Sequence, residues 1–202
     1  MFRALYHAFL SYRSLLAPIL VASAVVVPCW LAFRLYRLRR SGHRWSFGRE
    51  VLLLTFVLYL SALAAVTLAP SRSSRTRAEG VVEVELRPSL AALTCSSASL
   101  PRGSTARAFC VRNARGNLAL FLPLGLLLPL VWRQLRFRRG MQIAIALSVG
   151  IELAQYLSRA VGSRRTVDVN DVVLNVLGAC LGLGVVHLLR FLLRHRPAVQ
   201  HA

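Results

Sequence analysis

At 202 residues, with 56% hydrophobic side chains and a mean hydropathy of +0.56, the chain is more apolar than a soluble domain of its size. Its charge is one-sided: 26 basic residues, every one an arginine, stand against 7 acidic ones for a net +19. Such a charge raises nucleic-acid binding, but the arginines occupy the gaps between apolar runs, as at Arg34, Arg37, Arg39 and Arg40 and again at Arg133, Arg136, Arg138 and Arg139. No compact basic domain is left to hold a nucleic acid. The arginines read instead as membrane-flanking anchors drawn to anionic lipid headgroups.

A helix needs about 20 apolar residues to cross a bilayer. The first such run is Leu15 to Phe33. Arg3, Arg13 and the triplet Ala22-Ser23-Ala24 give it the look of a signal peptide. The run continues through Val25-Val26-Val27, however, so an uncleaved span is the preferred reading. Val51 to Ala69 is the second run. Asn117 to Trp132 is the third; it contains Pro123, Gly125 and Pro129, which predict a kink, and is extended at its ends by Arg115 and Arg133 snorkelling to the interface. Gly140 to Val161 is the fourth, broken only by Glu152, and Val172 to Leu189 is the fifth. Backbone in lipid must satisfy its own hydrogen bonds, so each run is expected to be helical. The expected fold is all-α: a polytopic transmembrane helix bundle of about five spans, with one long hydrophilic loop between spans 2 and 3. Residues 1–50 would form an N-terminal span and an arginine-rich cytoplasmic loop, residues 51–193 the main transmembrane domain, and residues 194–202 a basic tail.

The hydrophilic loop runs from Pro70 to Gly116 and is too small for a folded domain of its own. Within it, Val81 to Leu86 alternates weakly, as either a short strand or an interfacial segment. Cys95 and Cys110 also lie there. They are a disulfide if the loop faces an oxidising compartment, and two free thiols otherwise. Cys29 and Cys180 sit in apolar runs as small apolar residues. The five histidines show no ligand spacing, so neither metal nor cofactor is expected.

Orientation follows the arginines. The gap from Arg34 to Arg49 holds six in 16 residues, and that from Arg133 to Arg139 four in seven. Placing both in the cytoplasm gives an outside N-terminus and an inside C-terminus. The eight arginines of the Pro70–Gly116 loop pull the other way. Density in the short loops decides for N-out, C-in.

The most informative residues are polar ones inside the apolar runs. An ionisable side chain within a span costs about 2.5–3.5 kcal/mol on insertion scales, and is a functional candidate for that reason. Glu152 lies well inside the fourth span, with Gln155 and Tyr156 on the same helix face. Asp171 and Asn175 are one turn apart at the start of the fifth, Asp168 is one turn earlier, and Asn117 opens the third. The ends of the third, fourth and fifth spans that carry these residues face the same side of the bilayer whichever way the chain is inserted. The structural alternative is that Asp168 or Asp171 caps the fifth helix and Asn117 the third, and that Glu152 pairs with Arg164 or Arg165 and simply joins helices. Gly178 and Gly182 form a GxxxG, extended by Ala179 and Gly184, that suits close packing on the third or fourth span. No nucleophile, nucleotide or metal signature indicates an enzyme. Glu152 with Asp168 or Asp171 as an acid/base pair remains chemically open.

These same residues carry a resemblance. NLALFLPLG from Asn117 to Gly125 resembles the "NLLLFIPLG" segment of the VanZ-like family. SVGIELAQ from Ser148 to Gln155 is similar to its "S..IEl.Q" segment, and RTVDVNDVVLNVLGACLG from Arg165 to Gly182 to its "R..D..D...N..G...G" segment. All three occur in the family's order and spacing. The resemblance implies a multi-span bacterial membrane protein, with residues 51–193 as the VanZ-like domain, in a family whose named member is associated with teicoplanin resistance. The family's polar positions fall on Asn117, Glu152, Gln155, Arg165, Asp168, Asp171 and Asn175. The chain departs from the family at Val84 to Ser89, where many members have an "NLIPF"-like segment. Its first span lies outside the match. The partners expected are membrane lipids and a lipid-linked cell-wall precursor or lipoglycopeptide, with no nucleic acid.

Overall fold

The computed structural model describes residues 2–41, 46–68, 84–85, 87–96, 101, 103–158 and 167–194. Six helices follow in order: α1 (Phe2–Ser41), α2 (Phe47–Leu68), α3 (Leu90–Thr94), α4 (Thr105–Val131), α5 (Phe137–Leu157) and α6 (Val169–Arg194). All but α3 contain a stretch long and apolar enough to cross a membrane. The all-α, five-span expectation holds.

Two local features differ from hydropathy alone or add to it. Helix α4 begins at Thr105 rather than Asn117, because Ser104 caps it by accepting from the Arg107 N–H at 3.2 Å. Hydropathy marks what lipid tolerates, not where the backbone starts to coil, so the end of the expected loop is helical. Val84–Glu85 is a two-residue strand, β1, paired in parallel with Val167–Asp168, β2. Helix α4 stays helical across Pro123 and Pro129.

The chain divides into two compact units, Met1–Gly80 with Ala154–Arg165, and Val81–Leu153 with Thr166–Ala202. In the first, α1 and α2 are joined by a two-pronged ion pair: Arg34 Nη2 and Nε donate to Glu50 Oε1 and Oε2 at 2.5 and 2.7 Å. The Ser61 and Thr67 hydroxyls are buried in α2 and donate to the carbonyls of Val57 and Leu63, which removes the cost of a polar atom in an apolar surround. Gln155 belongs to this unit. Its Nε2 donates to the Thr67 carbonyl at 2.9 Å, one of the acceptors that the end of α2 leaves open.

In the second unit, α4 and α6 run parallel in backbone contact. A Cβ on Gly178 would overlap the Leu118 carbonyl, one on Gly182 the Leu122 carbonyl, and one on Gly125 the Ala179 carbonyl. The GxxxG therefore packs on the third span. Gly184 takes no part, since nothing lies within 4 Å of where its Cβ would be. Phe121, Leu124, Leu128, Ala179 and Leu183 fill the seam. Helix α5 buries Gly140, Ala144, Ser148 and Glu152, one per turn along a single face. At the far end of α6, Arg190 donates to the carbonyls of Pro129 and Arg133, and His187 meets that of Leu135, so the turn between α4 and α5 is tied down.

Candidate functional site

The interhelical register of the second unit decides which polar residues meet. Gly140 of α5 sits against Leu183 of α6, and Ser148 of α5 accepts a hydrogen bond from Asn175 of α6. Eight residues forward on one helix match eight residues back on the other, so the two are antiparallel. One further turn on each brings Glu152 level with Asp171.

Asp171 is also reached from α4. Its Oδ1 accepts from Asn117 Nδ2 at 2.5 Å and from Asn113 Nδ2 at 3.0 Å. The two asparagines are one turn apart, so they share the face of α4 turned to α6. Asp171 and Asn117 are half-buried and Asn113 is exposed, so the triad opens at one edge. A turn deeper, Asn175 is 4% exposed. Its Nδ2 donates to Ser148 Oγ at 3.0 Å, while its Oδ1 is buried with no hydrogen-bond partner among the described residues. Ser148 is fully buried, and Glu152, one turn along α5, is 7% exposed.

Asp168 has a different task. Its Oδ1 accepts from the backbone N–H and the Nδ2 of Asn170, at 2.8 and 2.7 Å, which caps α6 from the residue before its first turn. Asn170, 3% exposed, uses its own Oδ1 to accept the Ser89 N–H at 2.9 Å. That bond fixes the diverged segment before α3 against the head of α6, next to the β1–β2 pair. A disulfide between Cys95 and Cys110 then ties the end of α3 to α4, with Cα atoms 5.9 Å apart. Cys95 holds a φ of +51°, a left-handed conformation uncommon outside glycine, and the tight exit from α3 requires it.

The residues singled out in the sequence thus separate. Asn117, Asp171, Asn175 and Glu152 line one interhelical column, whereas Asp168 caps a helix. Gln155 bonds within the first unit, and Arg165 lies outside the described residues. Asn113, Ser148 and Asn170 are not among the candidate site residues of the sequence, although Ser148 opens one of the three motifs. The first two had a legible signal, since each stands four residues before a residue already singled out. Asn170 had none, because its partner lies 81 residues away.

Five membrane-length helices and a polar column inside the apolar interior define a multi-pass membrane protein. The family model VanZ/LLP1 matches residues 56–190, about two thirds of the chain and all of the polar column, and the chain belongs to that family. No curated protein and no solved structure matches it.

Proposed function

We propose that this VanZ/LLP1 protein acts at the bacterial cell envelope. The column headed by Asp171 engages the polar head of a lipid-linked or amphipathic molecule, such as a cell-wall precursor or a lipoglycopeptide. By doing so it alters susceptibility to teicoplanin-type glycopeptides. The observation that carries this reading is Asp171 itself: an acidic residue inside a span, held by two asparagines of another helix, with an open edge. The family resemblance supplies the link to teicoplanin. We place the column in the outer leaflet, with the N-terminus outside and the C-terminus inside. The Cys95–Cys110 disulfide supports this, because such bonds persist in oxidising compartments.

Binding is favoured over catalysis. An acid/base pair of Glu152 with Asp168 or Asp171 would need both groups at one substrate, yet Asp168 is engaged in capping, Asp171 is held by two asparagines and Glu152 is buried. The test replaces Asp171 or Asn117 by Ala and measures teicoplanin susceptibility together with protein abundance. Changed susceptibility at normal abundance is expected; unchanged susceptibility at normal abundance would sink the assignment. Labelling of single cysteines placed in the Arg34–Arg49 and Pro70–Gly116 segments decides the orientation independently.

A further inference from the structure

The atoms left over in the polar column say which headgroup chemistry it suits. Each amide nitrogen of Asn113, Asn117 and Asn175 has one N–H engaged, two of these on Asp171 Oδ1 and one on Ser148 Oγ. The buried atom of this set that has no partner among the described residues is an oxygen. Asp171 keeps its second carboxylate oxygen, and Asn175 Oδ1 is a buried acceptor with nothing donating to it among the described residues. A buried acceptor in an apolar surround is a standing demand for a donor. By the register of α5 and α6, residue 152 stands level with Asp171.

Charge points the same way. In a chain with 26 arginines and 7 acids, Asp171 meets two neutral amides and, among the described residues, no arginine. A phosphate or carboxylate ligand would meet the carboxyl of Asp171, with Asp168 close by at the head of α6, and would be repelled. A hydroxyl offers one donor and no charge. A primary ammonium offers three donors and a positive charge, so it can serve the Asp171 carboxylate and the Asn175 oxygen together.

We propose that the column takes a primary ammonium group on an amphiphile, held between Asp171 at the open edge and Asn175 Oδ1 one turn deeper. The proposal rests on the binding reading above and narrows it to one headgroup class. The amine can belong to a lipid headgroup or to a free amine, and the test separates the two.

The experiment uses the purified full chain in detergent, with binding of dioctanoyl phosphatidylethanolamine, phosphatidylcholine and phosphatidylglycerol measured by native mass spectrometry. Phosphatidylcholine is the sharpest control, because its ammonium keeps the charge but has no N–H. The ethanolamine lipid is expected to bind about tenfold more tightly than either of the others. Asp171→Asn should bring it down to the choline level. Free ethanolamine, added as competitor, separates the sources: competition shows that the amine alone suffices, and its absence assigns the ammonium to the lipid headgroup. Equal binding of the ethanolamine and choline lipids to the unmodified protein would overturn the proposal without any variant. So would a preference that survives Asp171→Asn in protein that keeps its Cys95–Cys110 disulfide and elutes as one species. If the lipid preference is absent but Asp171→Ala and Asn117→Ala still change teicoplanin susceptibility, the ammonium class fails and the binding reading stands. If the preference is present and susceptibility is unmoved, the ammonium site stands and the antibiotic role fails.

Discussion

Asn117 of α4 donates its side-chain N–H to the Asp171 carboxylate of α6 at 2.5 Å, so one hydrogen bond joins two spans at the polar column. Removing the donor leaves Asp171 with Asn113 alone, whereas removing the acid strands both amides. Asn117→Ala is expected to cost about 1–3 kcal/mol, the range for a hydrogen bond to a charged or buried partner. Asp171→Ala should cost no less. Thermal unfolding in detergent reads both, and a wild-type melting curve for Asp171→Ala would contradict the assignment.

The α4–α6 seam makes a positional prediction. Gly178→Leu and Gly182→Leu push side chains into backbone carbonyls that cannot move aside, so folded protein should be largely lost, at an expense above about 2 kcal/mol. Gly184→Leu, on the same helix, meets open space and should accumulate normally. Equal abundance of Gly182→Leu and Gly184→Leu would refute the seam.

Cys95→Ser, Cys110→Ser and the double variant should be destabilised alike, because each removes the same bond. For the loop of about 15 residues that it closes, chain-entropy reasoning gives about 3 kcal/mol. Alkylation under non-reducing conditions should modify neither residue in native protein. A double variant much worse than either single one would mean that the thiols act separately.

Asn170→Ala removes the acceptor of the Ser89 N–H and the side-chain one of the two donors to Asp168, leaving the backbone N–H in place. The segment before α3 should then exchange its amide hydrogens faster and be cut more readily by protease. Asp168→Ala should weaken the cap by about 1 kcal/mol. If residues 87–96 keep wild-type protection in Asn170→Ala, the latch does not hold them.

Much of this was legible in the chain. Uninterrupted apolar runs announce spans because lipid forbids anything else, and acids within those runs stand out because insertion penalises them. Glu152 and Asp171 were visible for that reason. Their partners were less so. Asn113 lies in a stretch whose polarity reads as loop, but the helix capped at Ser104 runs through it. Asp168 and Asp171 look alike in sequence. Their division into cap and interhelical acceptor is set by where α6 begins, a local backbone event that hydropathy does not register. Gln155 shares a motif with Glu152 but satisfies a carbonyl of α2, since a side chain three residues on can serve a different neighbour.

The pairing of Val84 with Val167 sets a timetable for assembly. The Cys95–Cys110 bond closes over 15 residues and can form as soon as α4 has emerged. The strand pair and the Ser89–Asn170 bond, 81 residues apart, must wait until the last span has been delivered. A chain truncated before α6 would carry the early crosslink without the late clasp, and inserted intermediates can be dated by which of the two they hold.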